Sequence, residues 1–407
     1  MGFDLDFVRK QFPALQVLDL QNVAFFENAG GSYACRQVID RLNRFYTERK
    51  MQPYWPARPS KLGGEEMDEA RVRLSAMMGI AQDELSFGPS TTQNTYVLSQ
   101  AFRQMLVPGD AVIVTNQDHE ANSGPWRRLE EAGIEVREWG LIPKTGHLDI
   151  NELQRLLDDK VRLVCFPHCS NVIGEINPVN DIVELVHQVG AYACVDGVSY
   201  APHGLPNMKE IKADIYLFST YKTYGPHQGL MIVRRALGEK LPNQGHHFNA
   251  DKLYKRFTPA GPDHAQIAAC TGIADYFDVL YERHFPNEAD PVTRNDSVHN
   301  LMRNWEIKLL QPLLDYVQNK NSLTLLGPSD ARTRAPTVAV KTERSPIEIT
   351  QELAVRGLAV GGDDFYAVRP LEAMGVDPKV GVLRMSFVHY TSETEVQRLM
   401  SALDDIL

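Results

Sequence analysis

The 407-residue chain predicts an α/β fold, with a large domain on a mainly parallel seven-stranded sheet and a small C-terminal α+β domain. Three observations lead there. Between residues 85 and 233, short apolar β-rich runs alternate with amphipathic segments, the rhythm of strands covered on both faces by crossover helices. After about residue 321, strand-like and helix-like runs alternate again on a shorter scale. The composition, 43% hydrophobic and 23% charged, is that of a chain able to bury a sizeable core.

In order, residues 4–15 read as an amphipathic helix carrying Phe7, Val8, Phe12 and Leu15. A Gly-rich turn at 27–32 follows, then helices over 34–49 and 65–79, separated by a Pro/Gly-rich loop at 50–64. Strands are predicted at Leu85–Gly88, Ala111–Thr115, Glu135–Trp139, Arg162–Phe166, Ala191–Asp196, Asp214–Ser219 and Gly229–Val233, with helical segments at 92–106, 121–132, 150–158 and 179–189. Residues 240–265 read as irregular and 266–320 as helical. The last section predicts strands at Ser322–Leu326, Thr337–Lys341, Leu358–Val360 and Gly381–Val388. Helices are expected at 346–356 and 392–406, the latter opened by a Ser392/Glu395 capping box. The expected division is 1–30 joining the small domain, 31–265 as the large domain, 266–320 as a helical connection and 321–407 as the small domain.

The formal charge of −10 argues against nucleic acid or an anionic membrane as partner. No run approaches a membrane span, and the N-terminus lacks a signal-peptide pattern, so a cytoplasmic protein is expected. Cys35, Cys165, Cys169, Cys194 and Cys270 show no disulfide framework. Cys165-x3-Cys169 with His168 between them reads as buried thiols rather than a metal site.

The chemistry sits at strand ends. Lys222 lies between two tyrosines, just past an apolar strand and before Gly225-Pro226, and Asp196 ends an earlier apolar strand. This pairing is what pyridoxal 5'-phosphate (PLP) requires: an amine to form a Schiff base and a carboxylate to keep the pyridine nitrogen protonated. Ser90-Thr91-Thr92 follows a strand and opens a helix, an anion site suited to a phosphate. His119, in Asp118-His119-Glu120, is placed to stack on a ring and move protons. Asn171, in a Ser-Asn-Val-Ile-Gly turn, offers an amide to cofactor or substrate. Arg384 interrupts an apolar strand and suits bidentate capture of an α-carboxylate.

These blocks, in this order, resemble the class V aminotransferase and cysteine desulfurase-like family of fold-type I PLP enzymes. The resemblance runs from Phe26-Glu27-Asn28-Ala29-Gly30 to the Arg384 strand. It implies Lys222 as the Schiff-base lysine, Asp196 on the pyridine nitrogen, His119 on the ring, and Thr92 and Ser219 on the phosphate. It further implies Asn28, Ala29, Gly30, Asn171 and Arg384 on the substrate side, and a homodimer to which the 257–264 loop contributes. Three positions depart from the desulfurase pattern. Tyr366 stands about where the persulfide-forming cysteine belongs, in Val360–Ala367, which has no cysteine. Tyr221 replaces a histidine before the lysine, and Ser199 a glutamine beside the cofactor's phenolic oxygen. The expectation is a cysteine desulfurase-like C–S lyase without a persulfide cysteine, acting on a cysteine-type amino acid as its small-molecule substrate. Aminotransferase and epimerase are alternatives, and a non-catalytic scaffold would have a damaged cofactor site. The 50–64 loop, with Tyr54, Trp55 and Arg58, is expected to help select the substrate.

Overall fold

The computed structural model describes residues 2–407. Its strands are β1 (Ala24–Phe25), β2 (Leu85–Gly88), β3 (Ala111–Thr115), β4 (Glu135–Trp139), β5 (Val161–Pro167), β6 (Tyr192–Asp196), β7 (Ile215–Ser219), β8 (Gly229–Val233), β9 (Leu323–Leu325), β10 (Thr337–Thr342), β11 (Leu358–Ala359), β12 (Gly361–Asp363) and β13 (Val382–Ser386). The large sheet has the order β2-β8-β7-β6-β5-β3-β4. Neighbours from β7 to β4 pair parallel, while β8 runs antiparallel to both β7 and β2.

Every residue of β3, β7 and β8 is buried. Alternation explains why a continuous apolar run serves two faces. Val112, Val114, Leu163, Cys165, Ile215 and Leu217 pack on one side with Leu98, Phe102 and Trp126. Ala111, Ile113, Val164, Phe166, Tyr216 and Phe218 pack on the other with Val38, Leu74, Val183 and Phe277. A four-stranded antiparallel sheet, β12-β13-β10-β9, has its own core with Leu309, Leu313, Leu353, Leu399 and Leu403. The N-terminal segment joins it through β1, which pairs parallel with β11, and through a bridge between Glu27 and Ser386.

Several predicted elements shift. The helix expected over 4–15 ends at Lys10, because Phe12 precedes Pro13 and adopts an extended conformation, after which a 3-10 turn runs Pro13–Gln16. The loop expected to 64 stops at 57, since a helix spans Arg58–Met78. Pro59 sits in its first turn, where a missing N–H costs nothing. Gly63 and Gly64 are helical and buried; a β-carbon on Gly64 would fall 2.6 Å from the Tyr54 ring, so this glycine is a packing residue. The segment 121–132 breaks into Glu120–Asn122, Gly124–Arg127 and Arg128–Ala132, with Pro125 in the first turn of the middle piece. The 266–320 stretch divides into helices His264–Ala269, Thr271–His284 and Pro291–Gln318. Strand β12 and helix Val368–Ala373 were not expected. The capping box at Ser392 and Glu395 is present.

Candidate active site

A cavity of about 290 Å³ opens where β2, β3, β5, β6 and β7 deliver their carboxyl ends. Its walls include Thr91, Thr92, His119, Asn171, Asp196, Ser199, Ser219, Tyr221 and Lys222. Nine side chains predicted separately along the sequence therefore line one space. Larger clefts of about 540 and 680 Å³ contain neither Lys222 nor Asp196. Convergent chemistry, not size, marks the site.

Lys222 follows β7 in a one-turn 3-10 helix, Thr220–Lys222, and is 7% exposed. Among the described residues no carboxylate forms an ion pair with it. Burial, and the nearby Arg384 charge, pull its ammonium down to about 8, against an upward pull from Asp196. Its position is clamped from behind. Ser32 Oγ donates to the Lys222 carbonyl at 2.7 Å, and Ser32 N–H donates to the Tyr221 carbonyl at 3.0 Å. The Tyr221 ring stacks on His227 at 4.7 Å, nearly parallel.

Asp196 closes β6 and is held by the Val198 N–H, which donates to Oδ1 at 2.8 Å. Burial raises its carboxyl to about 6, opposed by that hydrogen bond and by Lys222. Asp118 lines the same cavity and was not singled out from sequence. Its Oδ2 accepts from Asn122 Nδ2 at 3.0 Å, whereas Oδ1 is buried without a partner among the described residues. Burial and the neighbouring Asp196 raise its carboxyl well above the ordinary range. The sequence signal was the Asp118-His119-Glu120 triplet itself, which could not say which side chains turn inward.

His119 Nδ1 accepts from the Ala121 N–H at 3.0 Å, so in the neutral ring the proton sits on Nε2. Burial, Lys222 and Arg384 depress the imidazole to about 3, which keeps it neutral. At the opposite wall, Ser90 caps the helix Thr91–Met105 by accepting from Gln93 N–H. Thr91 Oγ1 and Ser219 Oγ lie 2.7 Å apart and buried beside the first free backbone N–H groups of that helix. Gly229, the first residue of β8, makes this approach possible, because a β-carbon there would lie 2.4 Å from the Ser90 carbonyl carbon and 2.6 Å from Thr91 N.

Arg384, on β13, is outside the cavity lining and 2% exposed. Its Nη1 donates to the Asn171 carbonyl at 3.1 Å, Nη2 pairs with Glu27, and the Phe365 ring lies 3.6 Å from its guanidinium. Asn171 Nδ2 donates to the Phe365 carbonyl at 3.0 Å, which leaves the buried Oδ1 without a partner among the described residues. The loop after β12 is unusual: Phe365 and Tyr366 both have positive φ, 54° and 55°. Tyr366 N–H donates to Asp364 Oδ1, and its carbonyl accepts from Glu120 N–H at 3.0 Å. The Tyr366 ring is 73% exposed and 5.7 Å from the His119 ring.

Asn28, Ala29 and Gly30 do not line the cavity. Asn28 Nδ2 donates to the Phe25 and Ser386 carbonyls, its Oδ1 accepts from Tyr390, and Ala29 N–H donates to Ser386 Oγ. This turn leads into Ser32 and so into the support of Lys222. Tyr54 and Trp55 are exposed and belong to no wall of this cavity. All five cysteines are buried; Cys169 alone reaches the cavity wall, and burial pushes its thiol up to about 12.

The walls fit PLP. They hold a buried amine and oxygens on Asp118 and Asn171 that have no partner among the described residues, a buried carboxyl pair, and paired hydroxyls at a helix N-terminus.

Residues 24–273 match the family model described as aminotransferase class-V. Among curated proteins, the aminotransferase-like protein FGM3 of Gibberella zeae is 32% identical, over 100% of this chain and 99% of its own length. A cysteine desulfurase of Yersinia pseudotuberculosis is 28% identical, over 100% and 99%. The solved structure of a cysteine desulfurase from Thermococcus onnurineus superposes with a TM-score of 0.86 at 19% identity, covering 100% of this chain and 98% of that one. The Escherichia coli cysteine desulfurase CsdA gives 0.83 at 21%, with the same coverage.

Proposed function

This chain belongs to the class-V aminotransferase family, a PLP-dependent enzyme family, and from that premise we propose that it is a C–S lyase acting on a cysteine-type amino acid. In this reading sulfur leaves as free sulfide. The observation that carries it is the loop Val360–Ala367, which brings Tyr366 rather than a thiol to the His119 side of the cavity. The one cysteine at the wall, Cys169, is held as a buried thiol donating to the Gly174 carbonyl at 3.3 Å and is no acceptor for sulfur. Cysteine and water would yield sulfide, ammonia and a 2-keto acid.

Bound PLP supplies the electron sink that makes the substrate Cα–H bond breakable. Lys222 Nζ would hold the cofactor and serve as the base for the substrate Cα proton; burial, which pulls it down to about 8, keeps part of it neutral at physiological pH. Asp196 would keep the pyridine nitrogen protonated. Thr91, Thr92, Ser219 and the helix N-terminus would hold the phosphate. His119 would flank the cofactor and offer Nε2–H to the departing group, with Tyr366 as the exposed hydroxyl beside it. Arg384 and Asn171 orient the α-carboxylate, while Ser199 and Tyr221 line the pocket around the cofactor. The 28–30 turn supports this side indirectly. A homodimer belongs to the proposal, supported by the open apolar groove of about 680 Å³ running from His227 to Phe257–Asp263; light scattering reads its mass.

Transamination is the second reading, favoured by the full-length likeness to the aminotransferase-like protein FGM3. The assay separates the two. Sulfide and keto acid formed from L-cysteine without an amino acceptor support the lyase. Turnover that requires a keto acid, without sulfide, refutes it. Lys222→Ala should lose roughly 10³-fold or more in either activity; a variant that retains wild-type turnover removes the mechanism. No helix is long and apolar enough to cross a membrane among the described residues.

A further inference from the structure

In the sequence Glu27 stands out only as part of the Phe26–Gly30 block. In the fold it is the ion-pair partner of Arg384. The pair joins three elements: the turn after β1, strand β12 and strand β13. A β-carbon on Gly30 would fall 2.8 Å from Glu27 Oε1, and one on Gly361 would fall 2.9 Å from Oε2. Gly361 is also the β12 residue in register with Arg384. Two glycines thus make room for this carboxylate. Oε2 is buried and has no hydrogen-bond partner among the described residues, and the same is true of Arg384 Nε.

A guanidinium grips a carboxylate best through two adjacent N–H groups. On Arg384, Nη1 is taken by the Asn171 carbonyl, Nη2 by Glu27, and the Phe365 ring covers the guanidinium. Nε–H and a second N–H on each of Nη1 and Nη2 remain undonated among the described residues, so a second carboxylate would have to approach the guanidinium with Glu27 still beside it. A second carboxylate cannot add beside Glu27 without like-charge repulsion at close range; it must replace it. The Glu27 side chain keeps 28% of its surface exposed, which gives it a way out.

We propose that Glu27 is an internal placeholder for the substrate α-carboxylate, occupying Arg384 in the ligand-free enzyme and setting the affinity for amino acids by competing for it. This rests on the reading of Arg384 as the carboxylate-binding residue. Apparent affinity is the intrinsic affinity multiplied by the fraction of molecules in which Arg384 is free. Removing the charge of Glu27 raises that fraction. Glu27 is a positioning residue, acting on substrate through Arg384.

The test is a titration of the PLP-loaded protein, followed by its visible absorbance, with L-alanine and with ethylamine, the same molecule without the α-carboxylate. L-Alanine carries no leaving group, so no elimination follows binding, and affinity is read from the initial spectral change, before any slower conversion of the cofactor. Glu27→Gln should tighten L-alanine by about tenfold or more and leave ethylamine within about twofold, with KM for the amino-acid substrate falling more than kcat changes. Should Glu27→Gln fail to fold, Glu27→Asp, one methylene shorter, should move in the same direction. Arg384→Gln provides the second arm and should weaken L-alanine selectively. If Arg384→Gln does so while the Glu27 variant leaves L-alanine unchanged, weakens it, or tightens both ligands alike, the placeholder is wrong and the Arg384 assignment stands. If Arg384→Gln does not discriminate between the ligands, that assignment fails and takes the placeholder with it.

Discussion

Replacing Gly229 with alanine tests the phosphate site without touching any residue that would contact the phosphate. The added methyl would lie 2.4 Å from the Ser90 carbonyl carbon, 2.6 Å from Thr91 N and 2.7 Å from the Ser90 carbonyl oxygen. Ordinary contact begins near 3.4 Å, so the backbone at the helix N-terminus must retreat by about 1 Å or β8 must yield. Every nearby atom is main chain, so no rotamer change relieves the clash. Overpacking of this kind costs about 1–3 kcal/mol of stability. The functional effect should be larger, because a misplacement of about 1 Å at a binding constellation costs on the order of 10²-fold. The assay compares the affinity of the apoprotein for PLP and for pyridoxal, which lacks the phosphate. Wild type should prefer PLP strongly; Gly229→Ala should lose about 10²-fold on PLP and little on pyridoxal. Gly140→Ala, where a β-carbon meets only Asn116 Nδ2 at 3.8 Å, should change neither. If the Gly229 variant folds and keeps the full preference for PLP, the anion site is not at the Thr91 helix.

Asp196→Asn should separate stability from activity. Burial holds the Asp196 carboxyl at about 6 against an ordinary 3.8, so the native state binds more protons than the unfolded chain between those values, and stability falls as pH rises through them. The penalty is fully present above about pH 6 and amounts to roughly 3 kcal/mol. The asparagine keeps an acceptor for Val198 N–H, so the apoprotein variant should melt a few degrees higher at pH 7.5, show no gain at pH 4, and lose roughly 10²-fold in turnover; an unchanged kcat would argue against a pyridine-nitrogen role. Tyr366→Phe should lower kcat about tenfold or more with the visible spectrum of the bound cofactor unchanged, and an unaltered kcat would leave the Tyr366 hydroxyl without a part in the reaction.

Much of the site was legible because its residues follow apolar strands, and a parallel sheet gathers strand ends at one edge. Lys222, Asp196, His119, Asn171 and the Thr91–Thr92 pair could be picked out one by one for this reason, although they are scattered over 132 positions of chain, from 91 to 222. Side-chain direction at those ends was not legible. Asp118 and His119 are neighbours, and only the turn that begins at His119 shows that both face the cavity. Pro59, Gly63 and Gly64 look like breakers in the sequence, yet all three belong to the Arg58–Met78 helix: one starts it and the others admit neighbouring rings.

Sequence alone determined the fold class, the order of the sheet-forming runs and the cofactor chemistry, because hydrophobic period and residue type are local properties. Tertiary structure decided what Arg384 holds. Glu27 lies 357 positions from Arg384 along the chain, and the contact exists because β1 joins β11 while β12 and β13 pair beside it. Long-range pairing of this kind leaves no periodic trace in either segment, so the electrostatic state of the arginine is written only in the fold.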